Sequence, residues 1–305
     1  MSRAQQLTIQ LLVASFLSCF TVGASAQGLD LQRQTFTTNN KESRAEALSG
    51  LEHDRSGRYS DAVAAYRRAL DLAPTDAGLY NNLATALTNL KRYDEAIAAL
   101  KRAIELNPNF ALAHFNLAVV YSQMNYPAQA IFEFKQSIAP ESHLINARIG
   151  LCELYLAQEQ NNEAVECYKG LLPLTPLDPK AHTNLGIALV RLKRYKEAIV
   201  TLEDTTQRFP SYAESYNSLG SALIETGRYK EAVVALTRAV ELEPNHESAH
   251  FNLALAQLAI HKKGVALEQY AFLKRSNAAL AQQLYEIIYA AQLFSADPKA
   301  NPNRR

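Results

Sequence analysis

An all-α fold is predicted: an α-solenoid of seven helix-turn-helix units closed by one further helix. Three observations predict it. The string Tyr-Asn-Asn-Leu-Ala at Tyr80 returns in related form at His114, His182, Tyr216 and His250, at intervals of 34, 68, 34 and 34 residues. The string Arg-Tyr-Asp-Glu-Ala-Ile at Arg92 returns at Arg194 and Arg228 in the same register. Ala and Leu dominate while Gly and Pro number only 11 each, a composition that favours helix. Self-similarity at a period of this length marks stacked repeats rather than a closed single core.

The strings place unit starts at Ser43, Ala77, Ala111, Ile145, Pro179, Ala213 and Glu247, with no insertion or deletion. The units span 43–76, 77–110, 111–144, 145–178, 179–212, 213–246 and 247–280. Within a unit, positions 4, 7, 8 and 11 fall on one face of a first helix, and positions 20, 24, 27 and 28 on one face of a second. Position 8 is always small and position 20 is Ala in all seven units, from Ala62 to Ala266. These small residues let the two helices approach, with larger residues at position 24 filling beside them. Pro at position 32 (Pro74, Pro108, Pro176, Pro210 and Pro244) ends the second helix, because it lacks an N–H and restricts the residue before it. Unit three departs from the pattern with Pro127 and Pro140, which predicts a second helix that ends early. Unit seven has Ala278 in place of the closing Pro.

The ends follow from composition. The first 26 residues hold one charged side chain, Arg3, followed by an apolar run from Leu7 to Val22 and the small-x-small triplet Ala24-Ser25-Ala26. This predicts a secretory signal peptide cleaved after Ala26, and so an exported protein of the bacterial periplasm or secreted. A retained anchor is the alternative, though the run is short and interrupted by polar residues. Acylation at Cys19 fits poorly, since Phe16-Leu17-Ser18 makes a weak lipobox. Residues 27–42 read as a polar linker, 281–293 as a helix capping unit seven with Ser276 or Asn277 at its N-cap, and 294–305 as a disordered tail.

Charge excludes one class of partner. Lys and Arg total 31 against 30 Asp and Glu, and loss of the first 26 residues brings the balance to zero. No basic stripe is present to displace counterions, so nucleic acid is not expected. Membrane contact is expected only if the N-terminal segment is retained.

The seven-fold register from Ser43 to about Leu280 resembles the tetratricopeptide repeat family. The resemblance implies a right-handed solenoid whose first helices line a concave groove, with positions 2, 5, 6, 9 and 12 pointing into it. Position 6 is then a peptide-binding candidate: Asn82, Asn116, Asn184 and Asn252, each offering a donor and an acceptor to an extended backbone. Position 5 adds Asn81, Phe115, Asn217 and Phe251, with the aromatic pair as docking anchors. The implied function is a non-catalytic scaffold or adaptor that holds a peptide or helix. A self-assembling solenoid is an alternative, and a homo-oligomer is compatible with either. The dicarboxylate clamp of chaperone-binding members is not expected, because Asn184 follows Lys180 where that clamp needs an Arg.

One motif suggests chemistry. His246-Glu247-Ser248-Ala249-His250 matches the helical zinc-protease pattern of two His four residues apart, with Glu as base. The alternative function is therefore a zinc hydrolase, although it needs a third ligand and Glu268 would have to turn off the second helix to supply one. The repeat explains most of the motif differently. His250 occupies position 4, as do His114 and His182, and His246 lies two residues past the helix-ending Pro244. Equivalent atoms two units apart are roughly 20 Å from each other, so these His cannot share a metal. No cofactor, metal or catalytic residue is expected. Cys152 and Cys167 fall on facing helices of unit four and can form a disulfide after export.

Overall fold

The computed structural model describes residues 36–138 and 144–296. The expected signal peptide, most of the expected linker, Pro140 and the last nine residues lie outside the described residues. Helix follows helix throughout, with no strand among the described residues: α1 (Lys41–Arg55), α2 (Tyr59–Leu72), α3 (Ala77–Asn89), α4 (Tyr93–Leu106), α5 (Ala111–Gln123), α6 (Pro127–Ser137), α7 (Ile145–Ala157), α8 (Asn161–Leu171), α9 (Pro179–Arg191), α10 (Tyr195–Arg208), α11 (Ala213–Glu225), α12 (Tyr229–Leu242), α13 (Glu247–Ala259), α14 (Lys263–Ser276) and α15 (Ala278–Ala296). Residues 36–163 and 164–296 belong to two compact units.

In the first unit, α1 packs on α2, α3 on α4 and α5 on α6, and each second helix covers the first helix of the next repeat. First helices also touch in sequence, α1 with α3 and α3 with α5. The second unit repeats the scheme, with pairs α9–α10, α11–α12 and α13–α14, first-helix contacts α9–α11 and α11–α13, and α15 closing on α14 and α13. This is the α-solenoid of helix-turn-helix repeats.

The side-chain reason is visible at position 8. A methyl group added to Gly50 would strike the Tyr66 ring, one on Gly186 would strike Leu202, and one on Gly220 would strike Leu236. The large residue at position 24 thus occupies the space that the small residue at position 8 leaves. Position 20 is fully buried in every repeat, from Ala62 to Ala266.

A feature absent from the apolar pattern marks each hairpin. Position 15 of all seven repeats (Gly57, Lys91, Asn125, Glu159, Lys193, Gly227 and His261) adopts the left-handed conformation, with φ between 56° and 75°. The N–H of position 16 then reaches back to the carbonyl of position 11, as Arg92 does to Leu87 and Arg194 to Leu189, ending the first helix. A Cβ disfavours this conformation by roughly 1–2 kcal/mol. Lys193→Gly is therefore expected to raise stability by up to about 1 kcal/mol, and Gly227→Lys to lower it by a similar amount, read as shifts in urea midpoint.

The ends differ from expectation. α1 starts at Lys41, inside the expected 27–42 linker, because the Asn40 carboxamide caps it by accepting from the N–H groups of Glu42 and Ser43. The preceding residues are held too. Thr37 donates its backbone N–H to Asp76 Oδ2 at 2.7 Å, while Asp76 Oδ1 caps α3. At the other end α15 begins at Ala278 and runs to Ala296, longer than the expected 281–293 and into the expected tail. Without a Pro at 278 the chain breaks for a single residue, Asn277, whose Oδ1 accepts from Leu280 N–H. α6, opening on Pro127, has 11 residues against 14 in α4, so the second helix of unit three is short.

Candidate functional site: the face of the first helices

Positions 5 and 6 sit on successive sides of each first helix, where that helix meets its neighbours. Burial there is deeper than a lining role requires. Asn81, Asn82, Asn116 and Asn217 are at most 3% exposed, and Asn184 and Asn252 retain 6% and 7%. Phe115 and Phe251 are 0% and 1% exposed. The two aromatic residues expected as docking anchors are core residues instead: the Phe115 ring packs on the Phe134 ring of α6 at 6.0 Å between centroids. Val119 and Leu255, at position 9, are buried as well.

The carboxamides bond mainly to one another and to neighbouring polar groups. Asn116 Nδ2 donates to Asn81 Oδ1 at 2.8 Å, and Asn252 Nδ2 donates to Asn217 Oδ1 at 2.9 Å. In both cases position 6 of one repeat bonds to position 5 of the repeat before it, so the ladder also ties adjacent repeats together. Asn184 Nδ2 donates to Tyr168 Oη at 2.9 Å. Asn184 and Asn252 each use Nδ2 in this way, and neither Oδ1 accepts a bond from a described residue. No spacing rule in the sequence separates a carboxamide that points outward from one shared between helices.

The histidines at position 4 share one structural task. His114 Nε2 donates to Pro108 O at 3.0 Å, His250 Nε2 to Pro244 O at 3.0 Å and His182 Nε2 to Pro176 O at 3.3 Å, each reaching the carbonyl of the helix-ending proline. Tyr80 Oη reaches Pro74 O in the same way. His114 is further constrained, since its Nδ1 lies 2.6 Å from Glu133 Oε2. Two acceptors bracket the ring, an arrangement that favours the doubly protonated form. Burial opposes that charge, but the Glu133 carboxylate and the Pro108 carbonyl outweigh it and hold the pKa above its ordinary value. A raised folded-state pKa means that the pair's stabilisation is fully present below about pH 6.5 and is lost as pH rises through the folded value. The melting-temperature gap between wild type and Glu133→Gln is expected to be widest near pH 6 and to narrow toward pH 9.

The zinc-motif geometry is not formed. His246 is the N-cap of α13 rather than a residue within it, and its Nδ1 accepts from Ala249 N–H. Its Nε2 donates to Glu214 at 2.8 Å. His250 spends Nδ1 on Gln269 and Nε2 on Pro244, and Glu268 is exposed on α14. Among the described residues no three His, Cys, Asp or Glu side chains are grouped to hold a metal. Cys152 is buried on α7, and Cys167 lies half-buried on α8. No helix of the described residues is long and apolar enough to cross a membrane.

The fold and this face define a helical-repeat protein, of the class whose members serve as scaffolds for protein–protein interaction. Models of the TPR repeat match residues 55–91, 85–125 and 220–260, and a tetratricopeptide repeat model matches 151–214, together more than half of the chain. The chain belongs to the tetratricopeptide repeat family. Solved structures of the same fold include YrrB, titled a TPR protein with an unusual peptide-binding site, at 21% identity over 60% of this chain and 95% of YrrB (TM-score 0.55). PilF of Pseudomonas aeruginosa matches at 18% identity over 71% of this chain and 97% of PilF (TM-score 0.56). The APC/C heterotetramer Cut9–Hcn1 matches at 19% identity over 82% of this chain but 49% of that one (TM-score 0.54). No curated protein matches the chain.

Proposed function

We propose that this protein is a non-catalytic scaffold of the cell envelope that holds a peptide or helix against the first helices of its repeats. The observation that carries the reading is the pair Asn184 and Asn252. Both stand at position 6 of first helices in the second unit, both are anchored through Nδ2, and both leave Oδ1 unbonded among the described residues. Anchored acceptors lose little freedom on meeting a ligand N–H, which is the advantage of a preorganised site. The peptide-binding description of YrrB is consistent with this reading, and the zero net charge of residues 27–305 suits a partner held by backbone bonds rather than by charge.

A pull-down from the envelope fraction, followed by titration of the recovered partner, tests it. Asn184→Ala/Asn252→Ala is expected to weaken binding about tenfold or more at unchanged helicity, from the loss of two buried-face hydrogen bonds. Wild-type affinity in the double variant would remove the assignment. Light scattering of the purified chain separates partner binding from self-assembly. Export rests on the N-terminal sequence, and a purified mass beginning at Gln27 is the expected result. The proposed Cys152–Cys167 disulfide predicts a mass gain of two hydrogen atoms when a thiol reductant converts it to two thiols.

A further inference from the structure

We infer that Glu214 is a specificity-determining positioning residue: its carboxylate sets the donor–acceptor sense of the Asn217–Asn252 pair, so that a ligand meets Asn252 through its Oδ1. The inference rests on the groove reading above for the ligand alone. The relay itself is a property of the fold.

A carboxamide is ambiguous, because rotation by half a turn exchanges its donor and its acceptor. The neighbours of Asn217 remove that ambiguity. Glu214 Oε1 lies 3.2 Å from Asn217 Nδ2, and a carboxylate only accepts, so the amide end of Asn217 must face it. Asn217 Oδ1 is thereby turned toward Asn252, which must present Nδ2 at 2.9 Å. Asn252 Oδ1 is then the end left unbonded among the described residues. Glu214 is itself held in place: His246 Nε2 donates to its Oε2 at 2.8 Å, and Ser218 Oγ donates to its Oε1 at 3.3 Å. One charge thus orders a chain of groups from the loop before α13 to the face of α13.

The first unit supplies an internal comparison. Asn116 and Asn81 repeat the bond between positions 6 and 5, but position 2 there is Gly78 where Glu214 stands in the later repeat. Glu214 is the only acidic residue at position 2 in the seven repeats. The carboxylate-set sense therefore belongs to the α11–α13 junction, which would select a ligand that offers an N–H at that point.

Glu214→Gln tests this with little change in shape. Glutamine can donate as well as accept, so both senses of the Asn217–Asn252 pair become available. Side-chain carboxamide hydrogen exchange, read by NMR on the full chain, is expected to speed up about tenfold at Asn217 and Asn252, as a charge-assisted bond becomes a neutral one. Asn116 and the backbone amides of α11 and α13 are expected to keep their rates. Unchanged exchange at Asn217 and Asn252 overturns the inference. So does a general acceleration through α11 and α13, which would mark a loss of structure rather than of sense. A dodecapeptide selected by phage display on the full chain serves as the ligand probe. N-methylation of one backbone nitrogen should weaken it at least tenfold against wild type and less than threefold against Glu214→Gln. If no dodecapeptide binds, the groove reading falls, while the exchange rates still decide the role of Glu214.

Discussion

Phe115→Ala is expected to lower the stability of the protein by about 3–5 kcal/mol, the usual cost of removing a fully buried aromatic side chain. Its ring is inaccessible and lies against Phe134, which is itself fully buried at the large position of α6. Truncation removes apolar area from water and leaves a cavity between α5 and α6 that rigid helices fill poorly. Urea denaturation followed by helicity gives the size of the effect, and backbone hydrogen exchange should place it in α5 and α6. A loss below about 1 kcal/mol would mean that the ring is accessible and would restore it as a docking anchor.

The second large effect is expected at Gly220. Any side chain there must displace Leu236, which is fully buried and has no room to give. Gly220→Val should cost about 1–3 kcal/mol through overpacking, despite the better intrinsic order of a residue that carries a Cβ. Gly264→Ala is the control. That glycine is also helical, but an added methyl would meet nothing within 4 Å. It should be neutral or stabilise by up to about 1 kcal/mol. The opposite signs would separate close helix approach from simple glycine flexibility. Equal destabilisation at both positions would contradict the pairing of positions 8 and 24.

That pairing was legible in advance because it repeats. Seven small residues at one position and seven larger ones sixteen residues later report a single contact made seven times, and a hairpin of two straight helices leaves few other ways to make it. Position 15 was harder to read. Only Gly57 and Gly227 advertise a left-handed turn, while Lys91, Asn125, Glu159, Lys193 and His261 adopt the same conformation because the hairpin imposes it. The α1 start was obscured for a different reason. Thr37 and Asn40 look like linker composition, but Asp76, 39 residues away from Thr37, supplies a partner that no local pattern shows.

The site divides in the same way. While the resemblance to the repeat family singled out the Asn residues at positions 5 and 6, period and polarity alone identified the helices and their paired faces. They also identified His246 to His250 as a motif split by a repeat boundary, and a helix cap does lie there. Which of these residues meet solvent depended on packing between helices, which sets Phe115 against Phe134 of α6 and leaves Phe251 only 1% exposed. The sense of the carboxamides of Asn184, Asn217 and Asn252 depended on partners 3 to 35 residues away. A repeat sequence determines contacts within its own unit because those recur in every copy. The tertiary structure decided what differs between copies: Glu214 meets Asn217 and Ser218 within α11, but packing brings His246 to it from 32 residues away and Asn252 to Asn217 from 35.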